Sequence, residues 1–130
     1  MKIISGGQTG VDRGALDAAI ALEMEHGGWC PLGRLAEDGP IPDRYQLDET
    51  ASPRYAERTE QNVLDADATL ILCRGRLSGG TLLTYRLAVA HGRPCLVVDL
   101  HGTPDSGEVR AWLCEHDVSL LNVAGPRESQ

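Results

Sequence analysis

Apolar residues fall along this chain in short blocks, and their spacing alternates between two kinds. Lys2–Ser5 reads as a short strand that breaks into Gly6-Gly7. From Gly10 to His26, the positions Val11, Ala15, Leu16, Ala19, Ile20 and Met24 recur mainly at three and four, the period that lines one face of a helix. Thr9 and Asp12 stand where a capping box would start that helix, and Gly27 stands where a terminating glycine belongs. Gly28–Cys30 reads as a brief second strand, stopped by Pro31. Residues 31–53 hold four prolines, two glycines and no sustained period, which marks either a binding lid or a solvated connection. Ser52-Pro53 is an N-cap followed by proline at the first helical position, and predicts a helix reaching about Leu64.

The second half alternates more plainly. Ala68–Cys73 is a continuous apolar run, the signature of a strand buried on both faces, and Cys95–Leu100 reads as a second buried strand. Between them, Ser78-Gly79-Gly80-Thr81 opens a helix ending near Gly92. Asp105-Ser106-Gly107-Glu108 offers a capping box for a further helix carrying Val109, Trp112 and Leu113, and 118–124 is a third apolar strand. Strands alternating with helices imply parallel pairing and right-handed crossovers. The expected architecture is a single α/β, Rossmann-like domain over residues 1–130, with a mostly parallel sheet and helices on both faces.

Composition narrows the function. A net charge of −7 argues against a general nucleic-acid binder, which needs a basic face. Lys2 is the only lysine, so positive charge is almost all arginine, suited to bidentate contacts with phosphate or carboxylate. No apolar leader opens the chain and no run reaches the roughly 18 residues of a membrane span. The cysteines, Cys30, Cys73, Cys95 and Cys114, are widely spaced without a C-x-x-C pair, Cys73 and Cys95 read as small core residues within apolar runs, and a reduced cytoplasm fits best. No histidine or carboxylate spacing suggests a metal site. His26 and His91 read as helix-terminal polar residues, and His101, just past a strand, is the histidine nearest a site position.

Three predicted strands end in a glycine-bearing loop: Ser5–Gly10, Arg74–Thr81 and Ala124–Ser129. In a parallel sheet these carboxyl ends share one rim, where ligands bind. Gly6, Gly7, Gln8, Thr9 and Gly10 form the first candidate phosphate cradle. Arg74, Ser78, Gly79, Gly80, Thr81 and Thr84 form the second, and Gly125 and Arg127 the third. The first loop is not a dinucleotide fingerprint. Ser5 stands at the first glycine of G-x-G-x-x-G, and no acidic residue lies near position 30, about 20 residues on.

The stretches "ISGGQTGVDRGALDAA", "AEDGPIP", "RTEQNVLDADATLIL", "SGGTLLT" and "LNVAGPRES" resemble, in order, the blocks of the molybdenum cofactor carrier protein family. That family belongs to a group of Rossmann-like nucleotide-ligand-binding proteins that includes the LONELY GUY phosphoribohydrolases. The resemblance implies a homo-oligomer, dimer or tetramer, binding a small molecule with a phosphate, either the molybdenum cofactor or a nucleotide. The phosphoribohydrolases carry P-G-G-x-G-T-x-x-E with a catalytic glutamate. With Thr81 at the motif's threonine, Thr84 takes the glutamate's place here. The expected role is therefore a carrier or sensor. The alternative is hydrolysis of the N-glycosidic bond of a nucleoside monophosphate, for which Arg58 and Glu60 are the remaining catalytic candidates. The resemblance also implies a helix after Gly125–Ser129, where this sequence runs out.

Overall fold

The computed structural model describes residues Met1–Gln130. The elements are β1 (Lys2–Ile4), α1 (Val11–Ala21), β2 (Glu25–Gly27), β3 (Trp29–Cys30), β4 (Leu35–Ala36), β5 (Gly39–Pro40), β6 (Asp48–Glu49), α2 (Tyr55–Asp65), β7 (Ala68–Cys73), α3 (Gly79–Ala90), β8 (Cys95–Asp99), α4 (Ser106–Glu115) and β9 (Leu120–Ala124). Five strands form one wholly parallel sheet in the order β2-β1-β9-β7-β8, the Rossmann-like arrangement the alternation predicts. The last strand lies in the middle, paired to β1 through Ile4↔Asn122 and to β7 through Thr69↔Asn122.

This order sets the layers. The β1-to-β2 connection moves toward one edge and the β7-to-β8 connection toward the other. With right-handed crossovers, α1 and α3 must lie on opposite faces. On the first face, Val11 and Ala15 of α1 and Val109, Trp112 and Leu113 of α4 pack on Ala68, Leu70, Leu121 and Val123. On the other, α2 packs beside α3 over the alternate side chains, with Thr69, Ile71 and Asn122 buried there. β8 is an edge strand with Val97 exposed, so the expectation that it is a buried strand is wrong. An apolar run does not by itself tell an inner strand from an edge strand.

Several predicted boundaries also move. α1 ends at Ala21, because Glu23 takes a positive φ of 56°. Its N–H bonds the Ile20 carbonyl, and that of Met24 bonds Ala19, which closes the helix without glycine. Gly27, expected as the helix terminator, is instead in β2, and His26 accepts from the Gln46 N–H there. Asp117 closes α4 by the same geometry, with φ 51°. α2 begins at Tyr55, two residues after Pro53, and Ser52 bonds the Glu57 carboxylate and the Arg54 N–H. The capping aspartate of α4 sits where predicted, accepting from Gly107 N at 2.8 Å.

Residues 31–53 are partly solvated and partly packed onto the first loop, where Ile41 and Leu47 stand against Gly7 and Glu37 holds Thr9 and Ser129. Ile41 and Tyr45 are buried with Leu16 and Cys30 in a second core outside α1. Arg34 knits the segment without much regular structure. Its guanidinium donates to the carbonyls of Ile41, Pro42, Tyr45 and Leu47 at 2.7–3.4 Å. Tyr45 Oη donates to Asp17 at 2.6 Å, tying the segment to α1. After β9 the chain turns, with Gln130 N bonded to Arg127 O at 3.0 Å.

Candidate functional site

Because β1 and β7 send their helices to opposite faces, a crevice opens above the carboxyl end of β9, which lies between them. A cavity of about 200 Å³ occupies it. Gly6 and Gln8 enter from the first loop, Gly80, Thr81 and Thr84 from the start of α3, and Gly125 and Arg127 from the chain after β9. One face of α2 supplies Tyr55, Arg58, Thr59 and Asn62. Asn122 of β9 and Asp12 of α1 complete the polar lining.

The two glycine loops are wired differently. In the first, Gly7 N bonds Ser5 Oγ at 3.3 Å, Gln8 N bonds Asp12 Oδ2 at 3.2 Å and Thr9 N bonds Gln8 Oε1 at 3.1 Å. Val11 N bonds Pro126 O at 3.3 Å, and Arg13 N bonds Gln8 O at 3.2 Å. Its anion-binding N–H groups are thus largely taken by the protein, and Gly7, Thr9 and Gly10 do not reach the cavity. Thr9, expected to cap α1, leaves that position to Gly10. Its hydroxyl donates to Glu37 at 2.7 Å and accepts from Glu128 N at 3.1 Å, binding three segments together. Hydrogen bonds from Ser129 and Thr9 hold the Glu37 carboxyl below its usual range. Its neighbour Asp38 is held low by Arg13, which grips it with both Nη atoms at 2.5 and 2.7 Å.

At α3 the opposite holds. The N–H groups of Gly79, Gly80 and Thr81 precede the first intrahelical bond, which Leu82 N makes to Ser78 O at 3.2 Å, and no other protein group accepts from them. Ser78, the N-cap, makes no side-chain capping bond and does not line the cavity. Thr84 does line it, but its hydroxyl donates back to Gly80 O at 3.0 Å. Arg74 is exposed outside the cavity, because its loop is held to the end of β8. Asp99 accepts there from Gly75 N at 3.1 Å and His101 N at 2.9 Å. His101 pairs with Asp99 at 3.7 Å and stays out of the site.

Of the two catalytic candidates, only Arg58 reaches the cavity. Its Nη1 donates to Gly6 O at 2.8 Å, its Nε donates to Thr59 Oγ1 at 3.2 Å, and its guanidinium carbon sits 5.3 Å from the centre of the Tyr55 ring. Glu60 lies outside, 3.1 Å from His91 Nε2. The carboxylate that lines the cavity is Asp12, buried and 3.8 Å from Arg58 Nη1. Burial raises its pKa to about 6, against the opposing pull of Arg58 and the loop N–H groups.

Asp12 and Asn122 are absent from the sequence-based site. Asp12 reads as an ordinary helix-start acid until the tertiary structure buries it. Asn122 carried a visible signal, as a lone amide inside the apolar run "LLNVA". Tyr55, Arg58, Thr59 and Asn62 carried another, recurring at helical spacing as one face of α2. Asn62 fixes that helix by bonding both the N–H and the carbonyl of Trp29, at 2.8 and 3.0 Å.

Comparison with known proteins agrees with this architecture. The model of the circularly permutated YpsA SLOG family matches residues 3–130. A solved structure from Syntrophus aciditrophicus, described as a candidate molybdenum carrier protein, is 49% identical and superposes with a TM-score of 0.95. The match covers 98% of this chain and 83% of that one. No curated protein matches significantly. The family model matches nearly every residue of the chain. This chain therefore belongs to the circularly permutated YpsA SLOG family.

Proposed function

We propose that this protein binds a phosphate-bearing small molecule, the molybdenum cofactor or a nucleotide-like ligand, as a carrier or sensor. The observation that carries the reading is the first turn of α3. Its N–H groups have no protein acceptor and stand at a cavity that Arg58 and Arg127 also line. A helix N-terminus attracts anions by up to about 2 kcal/mol when partly buried, and arginine adds charge-assisted bonds. Gly80 suits this role because nothing lies within 4 Å of where its side chain would begin, so an oxyanion can approach the backbone.

The name of the Syntrophus relative supports the molybdenum cofactor as one such ligand. The residues present fit its phosphate end, with Gly80, Thr81, Arg58 and Arg127 to hold it. At about 200 Å³ the cavity is smaller than the roughly 300–1,000 Å³ that encloses a drug-sized molecule. It suits the phosphate and the group next to it, with the remainder lying outside past Tyr55. The family likeness favours self-association as well, and Val89 of α3 and Val97 of the edge strand β8 are exposed apolar positions suited to it. Light scattering that returns only a monomer counts against that part.

Native mass spectrometry of gently purified protein tests the ligand. The expected result is a retained phosphorylated molecule, lost on Arg58→Met. A ligand-free protein that also shows no calorimetric heat with nucleoside monophosphates or inorganic phosphate overturns the reading. Asp12 supports a second reading, cleavage of the N-glycosidic bond. A carboxyl group with a pKa near neutrality inside a cavity is suited to acid–base work. An assay of adenine released from AMP separates the two. Carriage predicts none, whereas hydrolysis predicts turnover that vanishes in Asp12→Asn and survives Glu60→Gln.

A further inference from the structure

The cavity contains more than an anion seat. Asp12 and Asn122 both line it, at 8% and 3% exposure, and each brings acceptor capacity that the protein leaves unused. The Asp12 carboxylate accepts from the Gln8 N–H at 3.2 Å and is also held by the Gly6 N–H, and no side chain donates to it. Arg58 Nη1, at 3.8 Å, is beyond hydrogen-bonding reach and is engaged by Gly6 O instead. An ionised carboxylate offers about four acceptor sites, so it keeps capacity beyond these bonds. Asn122 spends its Nδ2 on Thr69 Oγ1 at 3.3 Å, which fixes the amide and leaves Oδ1 without a protein donor. No side-chain nitrogen or oxygen that is fully shut away from solvent lacks a partner, so these spare acceptors open onto the cavity. For holding a bare phosphate, a buried carboxylate is the wrong group: it repels the ligand and is itself costly to bury.

We propose that Asp12, with Asn122, selects the part of the ligand next to the phosphate by accepting hydrogen bonds from its hydroxyl or N–H groups, so that the cavity takes a phosphomonoester of the sugar-phosphate class over a bare anion. This rests on the phosphate-binding reading above and assigns further groups of the same cavity. Its lining combines donors, at the start of α3 and on Arg58 and Arg127, with acceptors, on Asp12 and Asn122. A ligand spanning both must be anionic at one end and donor-rich at the next group, within a space of about 200 Å³. A site built to accept from donors rejects an analogue that lacks them, since its own buried polar groups are then left unpaired.

Isothermal calorimetry with methyl phosphate and ribose 5-phosphate tests this on wild type, Asp12→Asn and Asp12→Ser. Wild type should bind ribose 5-phosphate at least about tenfold more tightly than methyl phosphate. In the neutral variants the two affinities should move in opposite directions. Methyl phosphate tightens as the like charge disappears, ribose 5-phosphate weakens, and the ratio falls to about threefold or less. A merely structural Asp12 would shift both ligands the same way. Asp12→Ser provides a second neutral side chain should Asp12→Asn fold poorly. Equal binding of the two probes to wild type, or an unchanged ratio in the variants, overturns this inference and leaves the phosphate seat standing. Absence of binding by either probe removes the phosphate reading and this inference together.

Discussion

The N-terminal turns of α1 and α3 look alike in sequence, each a strand running into glycines and then a helix, yet the fold uses them in opposite ways. Around α1 the glycines make room for the protein itself. A side chain on Gly10 would begin 2.5 Å from the Pro126 carbonyl, and one on Gly7 would begin 2.6 Å from Leu47 Cδ1. The N–H groups there bond Ser5, Gln8, Asp12 and Pro126. Around α3, Gly80 faces open space and its N–H groups have no acceptor. A glycine-rich turn is therefore not in itself a ligand site. What decides is whether the rest of the chain has already filled it.

The sharpest way to break this comparison is to add one methyl group to each turn. Gly10 has φ 81° and backbone against it, so Gly10→Ala should cost about 3 kcal/mol or more in urea denaturation. Gly80→Ala should be neutral or add up to about 1 kcal/mol, because it enters open space in a helix, while weakening phosphate binding. Similar stability costs at the two positions would show that the first turn is not packed as described.

Asp12→Asn probes the anion that the first loop already holds. The carboxyl group has a folded pKa of about 6 against an ordinary value of 3.8, so the folded state binds its proton more tightly than the unfolded chain does. Wild type therefore loses stability as pH rises from about 4 to about 6, and the loss is complete above that. The variant should lack this slope. It should exceed wild type by about 2 kcal/mol at neutral pH, with the advantage gone below about pH 4. A pH-independent difference between the two proteins would remove the assigned shift.

Arg58 joins the two turns, since it holds Gly6 O from α2 while lining the cavity that α3 opens onto. Arg58→Lys loses the planar fork and the stack on Tyr55. Stability should fall by about 1–2 kcal/mol, and phosphate affinity should fall about tenfold. An unchanged affinity would place the anion at α3 alone. The smallest effect belongs to Asp38, which is exposed on the outer clamp over the first loop. Asp38→Asn should lower the thermal midpoint slightly, and the difference should disappear in about 1 M salt, which screens surface charge.

The alternation of apolar periods was enough to read the class, four of the five strands of the main sheet, the four helices and the rim where the loops meet; the edge strand β2 was read as the end of α1. Each of those is a local consequence of which side chains can be buried together. It was not enough to place the strands. β8 is mostly apolar like β7 but lies at an edge, because strand order depends on crossover direction and not on composition. Nor did the pattern show that Glu23 and Asp117 would end helices in the left-handed region, a role usually given to glycine. It showed no order in residues 31–53 either, where Arg34 replaces regular hydrogen bonding with contacts to four carbonyls.

The site divides along the same line. Glycines after strands, serine and threonine at a helix start and arginine as the dominant cation are written in the sequence, and they name an anion as the kind of ligand. Which of two similar turns stays open, and which carboxylate faces it, depends on groups far apart in the chain. Pro126 fills the α1 turn from more than a hundred residues away. Glu60, a plausible acid by position, turns out toward His91, while burial against Arg58 of α2 changes Asp12 from a helix-start residue into the cavity's carboxylate. Residue type and spacing fix what a segment can bond. Only packing decides which of those bonds the protein has already made for itself, and what it leaves for a ligand.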